Sequence, residues 1–173
     1  AGGAALRQVV LATRRQGWRG FVGRTNGGMV VHLGVVVVAV AIAASGSYAE
    51  THEHRYEPGQ TRTISGHEIT YLDTVQIEER NRLVTKVRVQ VDGGKVYAPA
   101  LSQYDGFGQL IGTPSVKTGL REDVYLKITR LPQEEGGPVV LTVIIEPMAV
   151  WLWVGGGIIA AGTLLAAWPG RRR

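Results

Sequence analysis

The most constraining feature of the sequence is a long apolar stretch close to its N-terminal end. Residues 28–45 read GMVVHLGVVVVAVAIAAS, which gives 18 consecutive positions without a fixed charge. At about 1.5 Å per residue, a helix of this length crosses most of a hydrocarbon core that is roughly 30 Å thick. The stretch therefore predicts a transmembrane helix, which we assign to residues 28–46.

One histidine, His32, lies near the start of this stretch. An ionisable side chain inside a membrane is costly to bury unless it faces protein or a cofactor. Helical spacing places it on the face that carries Gly28, Ala39 and Ala43, and small residues let another helix or a flat ligand approach closely. We therefore expect His32 to lie on a packing face. The residues alone leave two interpretations open: a ligand of a cofactor, or a histidine hydrogen-bonded to a neighbouring helix.

A second stretch without charge, residues 148–168, lies close to the C-terminal end and is 21 residues long. The stretch has Trp151 and Trp153 near its start and Trp168 at its end. Aromatic side chains prefer these depths, at the two surfaces of a membrane. The stretch predicts a second transmembrane helix that packs tightly against other helices, because it is rich in small residues. These residues are Gly155, Gly156, Gly157, Ala160, Ala161 and Gly162.

The charges are distributed unevenly along the chain. All 14 acidic residues lie within residues 50–146, where 11 basic residues leave a net charge of −3, and the other 8 basic residues are arginines outside the two apolar stretches. Arginines in these positions predict cytoplasmic termini, namely an interfacial segment at 1–27 and a basic tail at 169–173, with residues 47–147 on the outer side. Basic patches can also indicate nucleic acid. Arginines that flank membrane spans do not favour it, so we expect no nucleic-acid partner.

Residues 47–147 show a strand-like alternation of apolar and polar positions. The clearest strand is residues 82–91, RLVTKVRVQV, and the DGGK that follows predicts a hairpin turn at 92–95, because adjacent glycines accept positive φ. Residues 102–115 are predicted to be irregular. The patterns predict one compact antiparallel β domain of about six to eight strands. The predicted inward-facing residues of the clearest strand are Leu83, Thr85, Val87, Val89 and Val91, and the outward-facing ones are Val84, Lys86, Arg88 and Gln90.

The predicted fold class is thus membrane α plus β, with two transmembrane helices flanking one extracytoplasmic antiparallel β domain. The chain has no cysteine, which excludes disulfides, thiolate metal sites and cysteine nucleophiles. His52 and His54 form an H-x-H pair whose spacing puts both rings on one face of a strand, as a metal site needs. No third ligand is evident and His67 is distant in sequence, so a solvated strand start is the favoured interpretation.

Two further patterns carry little functional signal. The adjacent acids Glu78–Glu79 and Glu134–Glu135 resemble catalytic carboxylate pairs, but neighbouring acids in turns usually project apart into solvent. The glycine-rich GGKV and VGGG sequences lack the lysine followed by serine or threonine that a phosphate-binding loop requires. We therefore predict neither catalytic residues nor a nucleotide site.

Several stretches of the sequence together resemble a known family. They occur in the order GGMVVHLGVVVVAVAIAASGSY, EPGQT, TGLREDVYLKI and EPMAVWLWVGGGIIAAGTLL. These stretches resemble the last part of the CcmF family and of its paralogue NrfE, the large membrane subunits of the cytochrome c haem lyase. The resemblance covers nearly the whole chain and is strongest at the two apolar stretches.

The resemblance implies a function. Members of this family attach haem to apocytochrome c on the outer side of the bacterial cytoplasmic membrane, receive haem from a chaperone and work with apocytochrome-binding partners. They also hold a b-type haem, and His32 matches the membrane histidine that serves the family as one axial ligand of the haem iron. A neutral imidazole nitrogen is a good iron ligand. The expected partners are the remainder of the haem lyase subunit, its apocytochrome-binding partners, the haem chaperone, apocytochrome c and the lipid bilayer.

The sequence also departs from the family. Family members are several times longer and carry a tryptophan-rich haem-handling loop and further histidines, which this sequence lacks. We therefore expect the chain to supply one haem ligand while a missing segment supplies the other, and both a fragment and a natural split subunit remain open. The alternative is a non-catalytic accessory membrane protein whose extracytoplasmic β domain binds a partner and whose His32 is structural.

Overall fold

The two long apolar stretches both form helices. Helix α1 spans Arg24–Tyr48, 25 residues, and helix α2 spans Val150–Ala167, 18 residues. At about 1.5 Å per residue, the helices are about 37 Å and about 27 Å long. Within the part of the chain that the structure describes, both are long and apolar enough to cross a membrane. The predicted membrane boundaries themselves stay predictions.

The computed structural model describes residues 24–106, 108–134 and 136–167, together with Gly3, Arg7 and Leu11. Most of the predicted interfacial segment, Trp168 and the predicted basic tail lie outside the described residues. The chain divides into two compact units, of which one contains both helices and the other is Ala49–Glu146. We call them the helix pair and the β unit.

The helix pair is held together by direct backbone contact between small residues. Gly27, Gly34 and Ala41 are seven residues apart, close to two helical turns, and all three are buried. Of the three, Gly27 and Gly34 face Gly162 and Gly155 of α2. A Cβ atom at Gly34 would lie 2.8 Å from the carbonyl oxygen of Gly155, and one at Gly162 would lie 3.0 Å from that of Gly27. The predicted tight packing of the small residues of α2 is therefore confirmed at two of its glycines.

The β unit contains two sheets, which we call sheet I and sheet II. Sheet I has the strand order β1-β10-β9-β8, and sheet II has the order β2-β3-β4-β6-β7, with β5 paired to β4. The strands are antiparallel wherever the register is defined. Their bounds are β1 Glu50–Tyr56, β2 Thr61–Ile64, β3 His67–Glu79, β4 Arg82–Val91, β5 Val96–Tyr97, β6 Ala100–Tyr104, β7 Leu110–Thr113, β8 Ser115–Lys117, β9 Glu122–Arg130 and β10 Val139–Pro147.

The buried faces of the two sheets share one hydrophobic cluster. Tyr56 of β1, Tyr71 of β3, Leu126 of β9 and Leu141 of β10 are all fully buried in it. Buried and exposed positions alternate along the strands because successive side chains point to opposite faces of a sheet. The predicted antiparallel β domain is therefore confirmed as a fold, although the described residues form ten strands where six to eight were predicted.

Two local predictions were wrong near one end of sheet II. At the start of β4, Leu83 is 37% exposed and Val84 only 4% exposed, the reverse of the predicted pattern. The reason is length, because β3 has 13 residues while no strand of sheet I exceeds 9, so sheet I leaves the end of sheet II uncovered. Val84 is buried instead between its cross-strand neighbours Ile77 and Ser102.

The chain after β4 also holds more strands than predicted. The predicted DGGK hairpin turn is confirmed, since Asp92 and Gly93 have φ of 53° and 62° and β5 returns antiparallel to β4. The chain that returns from this turn is interrupted before Ala100, so that it forms two strands, β5 and β6. Residues 102–115, predicted to be irregular, contain β7 and parts of β6 and β8.

Candidate functional site

His32 projects from the face of α1 that lies away from α2. His32 lies two residues before Gly34, which contacts α2. Two residues turn a helix by about 200°, which is about 160° measured the shorter way round, so the two side chains point in nearly opposite directions. The side chain of His32 is exposed. Within the described residues it has no hydrogen-bond or ion-pair partner. An imidazole in this position is free to ligate a group that the described residues do not supply.

The face that carries His32 is lined by small residues, and none of the described residues covers it. A Cβ atom at Gly28 would meet nothing within 4 Å, and Ala39 and Ala43 are both exposed. Gly27 and Gly34 lie on a different face of the helix, and they are in backbone contact with α2. α1 therefore has two faces lined by small residues, and α2 occupies only one of them.

His32 and the open face beside it can take part in only a few kinds of chemistry. One imidazole can give one coordinate bond to a metal, and the open face beside it can accept a flat group. No group of three or more histidine, aspartate or glutamate side chains among the described residues is arranged to hold a metal ion. His32 could give one bond to a metal ion that a larger ligand carries, and any further ligand would have to come from elsewhere. The assignment of His32 as a ligand stays a prediction.

The H-x-H pair lies on β1, at the edge of sheet I. The rings of His52 and His54 lie on one face, 6.4 Å apart between centroids and 12° from parallel. Nε2 of His52 lies 3.3 Å from Oε2 of Glu50 and 3.4 Å from Oγ of Ser65. Hydrogen bonds from Ser65 and His52 lower the pKa of the Glu50 carboxyl. The same ring nitrogen of His52 thus faces both neighbours, so these residues do not form a nucleophile–base–acid relay, which needs both ring nitrogens.

His67 belongs to a different cluster, which the sequence did not reveal. Its Nδ1 lies 2.8 Å from Oδ2 of Asp92, and its Nε2 lies 3.1 Å from Oε1 of Glu122. Lys117 donates to the same Asp92 oxygen, and the backbone N–H of Glu68 donates to the other at 2.9 Å. Because the carboxylates lie at opposite ring nitrogens, they do not converge on one point as metal ligands would.

The charge of Asp92 is stabilised by this cluster. Burial alone would raise the pKa of Asp92, but hydrogen bonds from Lys117, His67 and the N–H of Glu68 outweigh it and lower the pKa to about 2. His67 begins β3 of sheet II and Asp92 lies in the turn directly after β4 of sheet II, whereas Lys117 and Glu122 belong to sheet I. The cluster therefore ties the two sheets together, and its role is structural.

The acidic pairs are likewise engaged or exposed. Glu79 accepts a hydrogen bond from Nε of Arg82 at 2.7 Å, and this bond lowers the pKa of the Glu79 carboxyl. Arg82 also donates to the hydroxyl of Tyr104 at 2.9 Å. Glu134 lines an open cavity of about 330 Å³ together with Arg55 and Arg130, and Glu135 lies outside the described residues.

Comparison with known proteins identifies the family that this architecture resembles. "Cytochrome c-type biogenesis protein CcmF" of Pseudomonas aeruginosa is 27% identical over 151 residues, covering 85% of this chain and 23% of the relative. The protein of the same name in Escherichia coli K12 is 28% identical over 152 residues, covering 84% of this chain and 23% of the relative. A solved structure, "Cytochrome c Heme Lyase CcmF", has a TM-score of 0.72 and 26% identity over 97% of this chain and 28% of its own.

The chain resembles the CcmF/NrfE family over nearly all of its length. The resemblance predicted from the sequence is thereby confirmed, and the "Probable cytochrome c-type biogenesis protein NrfE" of Escherichia coli K12 matches as well, with 22% identity over 84% of this chain and 27% of that relative. No family model matches the chain. The chain spans about a quarter of the length of the curated CcmF proteins it matches, which is consistent with the predicted match to their C-terminal portion.

Proposed function

We propose that this chain is part of a cytochrome c haem lyase and helps to hold a b-type haem in the membrane for attachment to apocytochrome c. Two things support the proposal: the similarity to CcmF proteins over nearly the whole chain, and the position of His32. The observation that carries it is that His32 has no partner among the described residues and projects on the face of α1 that α2 leaves uncovered.

His32 would hold the haem through one neutral ring nitrogen. A bound haem would supply the iron that this nitrogen ligates, and the second axial ligand would come from the remainder of the haem lyase subunit. The uncovered Gly28, Ala39 and Ala43 leave room for a flat group or a second helix beside the ring. The other ring nitrogen needs a hydrogen-bond acceptor to fix its tautomer, and that acceptor would also come from outside this chain.

The topology that goes with this function places both helices in the bacterial cytoplasmic membrane. The eight arginines outside the apolar stretches favour cytoplasmic termini. The β unit, with its net charge of −3, would then lie on the outer side. There it would be available to the haem chaperone, to apocytochrome c and to the apocytochrome-binding partners of the complex.

The alternative, an accessory membrane protein with a structural His32, finds less support. A structural histidine in a membrane would be hydrogen-bonded to a neighbouring helix. Among the described residues, the helix that neighbours α1 is α2, and α2 contacts the opposite face of α1.

The decisive experiment is His32→Ala in membranes that contain the chain with its native partners. We expect the b-type absorption spectrum to fall to less than a tenth of its wild-type intensity, and added imidazole to restore part of it by filling the space of the missing ring. His52→Ala and His54→Ala are the matched controls and should leave the spectrum unchanged. Full haem content in His32→Ala, with an unchanged spectrum and potential, would show that His32 is structural.

A further inference from the structure

The turn between β8 and β9 presents an apolar side chain at the surface. This β8–β9 turn is residues 118–121, with the sequence TGLR. Leu120 is 76% exposed, which makes it the most exposed large apolar side chain among the described residues of the β unit. Single exposed leucines are common on protein surfaces, so exposure alone assigns no role. The build of this turn and its place in the fold distinguish it.

The β8–β9 turn is tightly built. The backbone N–H of Gly119 donates to Oδ1 of Asp123 at 3.0 Å, and Asp123 is only 6% exposed. A Cβ atom at Gly119 would lie 2.5 Å from the carbonyl oxygen of Glu122, so the backbone on the two sides of the turn is in close contact. Leu120 is therefore presented by an ordered turn, and little conformational entropy remains to be lost when its side chain is buried against something else.

The chain passes from one end of sheet I into both helices. β1 begins at Glu50, with Ala49 alone between it and α1. β10 ends at Pro147, with two residues between it and α2. β1 and β10 are antiparallel, and Glu50 pairs with Ile145 near the end of β10, so the two links leave the same end of the sheet.

The β8–β9 turn lies at this same end of sheet I. The hydroxyl of Thr129 in β9 lies 2.5 Å from that of Thr142 in β10. Nearer the start of β9, burial and the charge of Glu146 raise the pKa of the Tyr125 hydroxyl. Residue numbers thus rise along β9 as they fall along β10, so β9 begins where β10 ends. Neighbouring strands are about 4.8 Å apart, which places the turn about 5–10 Å to the side of the end of β10.

The shortness of the two links limits how far this end of sheet I can be from a membrane. Consecutive Cα atoms are about 3.8 Å apart, so a link of two residues spans at most about 11 Å. Both helices are long and apolar enough to cross a membrane. With the helices in the membrane as proposed above, the β8–β9 turn is held at the level of the lipid headgroups.

We propose that the β8–β9 turn docks on the lipid surface, with Leu120 inserted below the headgroups and Arg121 on a lipid phosphate. Arg121 is exposed and has no ion-pair partner among the described residues. A guanidinium matches the geometry of a phosphate group, and an apolar side chain is stabilised just below the headgroup layer. This inference rests on the membrane position proposed for the helices and does not depend on the haem.

The neighbouring turns show that the apolar side chain is particular to this one. His67 of β3 contacts Glu122 of β9, so the turns before β3 and after β4 lie at the same end of the β unit. These turns are residues 65–66 and 92–95, and neither carries a large apolar side chain. Of the turns described at this end, the β8–β9 turn is therefore the one suited to enter an apolar layer.

The small size of the turn favours a lipid surface over a protein partner or a second copy of the chain. Four residues bury far less than the roughly 1,200 Å² that a stable protein interface needs. A membrane contact can be much smaller, because the proposed spans already hold the turn beside the lipid at a high effective concentration.

The test uses the full chain in nanodiscs of phosphatidylcholine and phosphatidylglycerol, with one chain in each disc. The chain has no cysteine of its own, so a fluorescent dye can be attached to a single Thr118→Cys, an exposed position beside Leu120. Lipids that carry a nitroxide just below the headgroup should quench at least half of the emission. The same dye on Asn81→Cys, in the turn between β3 and β4 at the other end of sheet II, should lose less than a tenth.

Two further variants test the roles of the individual side chains. Leu120→Asp should reduce the quenching of the dye at position 118 at least threefold. The matched control is Leu110→Asp, the same change at an exposed leucine of β7, which should leave the quenching unchanged. Arg121→Glu should reduce it about twofold, because lipid phosphates repel a carboxylate.

A dye on Ile42→Cys, within α1, separates this proposal from the topology on which it rests. Quenching at position 42 by a nitroxide deep in the acyl chains, without quenching at position 118, would overturn the docking of the turn and leave the span in place. The absence of quenching at both positions would overturn the membrane topology as well. Protection of Thr118→Cys from maleimide only when the native partners are present would replace the lipid with a protein partner.

Discussion

The helix pair and the β unit bury their residues in opposite ways. The fully buried positions of the helix pair are small, such as Gly27, Ala41 and Gly155, whereas those of the β unit include Tyr56 and Leu141. The β unit thus surrounds its large apolar side chains with its own strands. The helices turn theirs outward, so that lipid or other protein must cover them.

The exposed side chains of the helices show how complete this difference is. Ile42 of α1 is 58% exposed, and Leu164 and Trp153 of α2 are 71% and 83% exposed. Such surfaces are incompatible with water, but they are ordinary for helices in a bilayer. The comparison therefore distinguishes a region that we expect to fold by itself from a region that we expect to depend on its surroundings. Each of the following predictions can break or sharpen it.

The largest expected effect concerns the β unit expressed without the helices. We expect residues 49–147 to fold as a soluble domain with an unfolding free energy of about 5–15 kcal/mol, the usual range for domains near this size. A urea titration monitored by circular dichroism measures this free energy. Dispersed amide signals in solution NMR would confirm a unique structure. A disordered amide spectrum would show that the helix pair is needed for folding.

The next effect concerns the contact between the two helices. Leucine at position 155 would force its Cβ atom to within 2.6 Å of Cγ2 of Val38, so we expect Gly155→Leu to weaken pairing by about 1–3 kcal/mol. Gly156→Leu is the matched control, because a Cβ atom there meets nothing within 4 Å. The chain has no cysteine of its own. Dyes on cysteines introduced at Met29 and Ala167 can therefore report the separation of the helices by energy transfer, and equal separation in the two variants would contradict the prediction.

A smaller effect concerns the acid stability of the β unit. The pKa of Asp92 falls from 3.8 to about 2 on folding, so its charge stabilises the fold above pH 3.8 and that stabilisation is lost as the pH falls toward 2. Because the side chain is 35% exposed, solvent screening reduces the loss to about 1 kcal/mol. We expect Asp92→Asn to remove this part of the pH dependence in urea titrations between pH 4 and pH 2. Asp105→Asn, at an exposed turn, should leave it unchanged.

The smallest effect distinguishes the two buried tyrosines of the core. Within the described residues, the hydroxyl of Tyr56 is buried without a hydrogen-bond partner, and burial raises its pKa to about 12. The hydroxyl of Tyr71 bonds to Thr74 at 2.8 Å and to the carbonyl oxygen of Gly137 at 3.3 Å. We expect Tyr56→Phe to be neutral or to stabilise the β unit by up to about 1 kcal/mol, and Tyr71→Phe to destabilise it by about 1 kcal/mol. Thermal unfolding would measure both changes, and a loss of stability in Tyr56→Phe would reveal a partner for its hydroxyl.

The parts of the fold that follow from local patterns could be predicted from the sequence. A long run without charge is sufficient for α1 and α2, and the alternation of Val87, Val89 and Val91 is sufficient for the core strand β4. The β7 strand could not be predicted, because its LIGT sequence lies among glycines and both of its faces are exposed, so that no alternation marks it.

Features that depend on distant residues gave no local signal. The cluster of His67, Asp92, Lys117 and Glu122 joins residues up to 55 positions apart. For His32, helical spacing correctly grouped it with small residues, but it could not tell that α2 would pack on Gly27 and Gly34 instead. Which of the two small-residue faces of α1 packs against α2 depends on the shape of α2. The periodicity of the α1 sequence carries no information about that shape.

The glycine contacts between the helices also fix the rotation of α1 about its own axis. With Gly27 and Gly34 seated against α2, α1 cannot turn without pushing side chains into the backbone of its neighbour. A helix held only by lipid would sample every rotation, and an arriving ligand would have to select one of them. In this chain the direction in which His32 points is already chosen before anything binds, so the entropic cost of orienting the imidazole falls on the folding of the helix pair and not on the binding step.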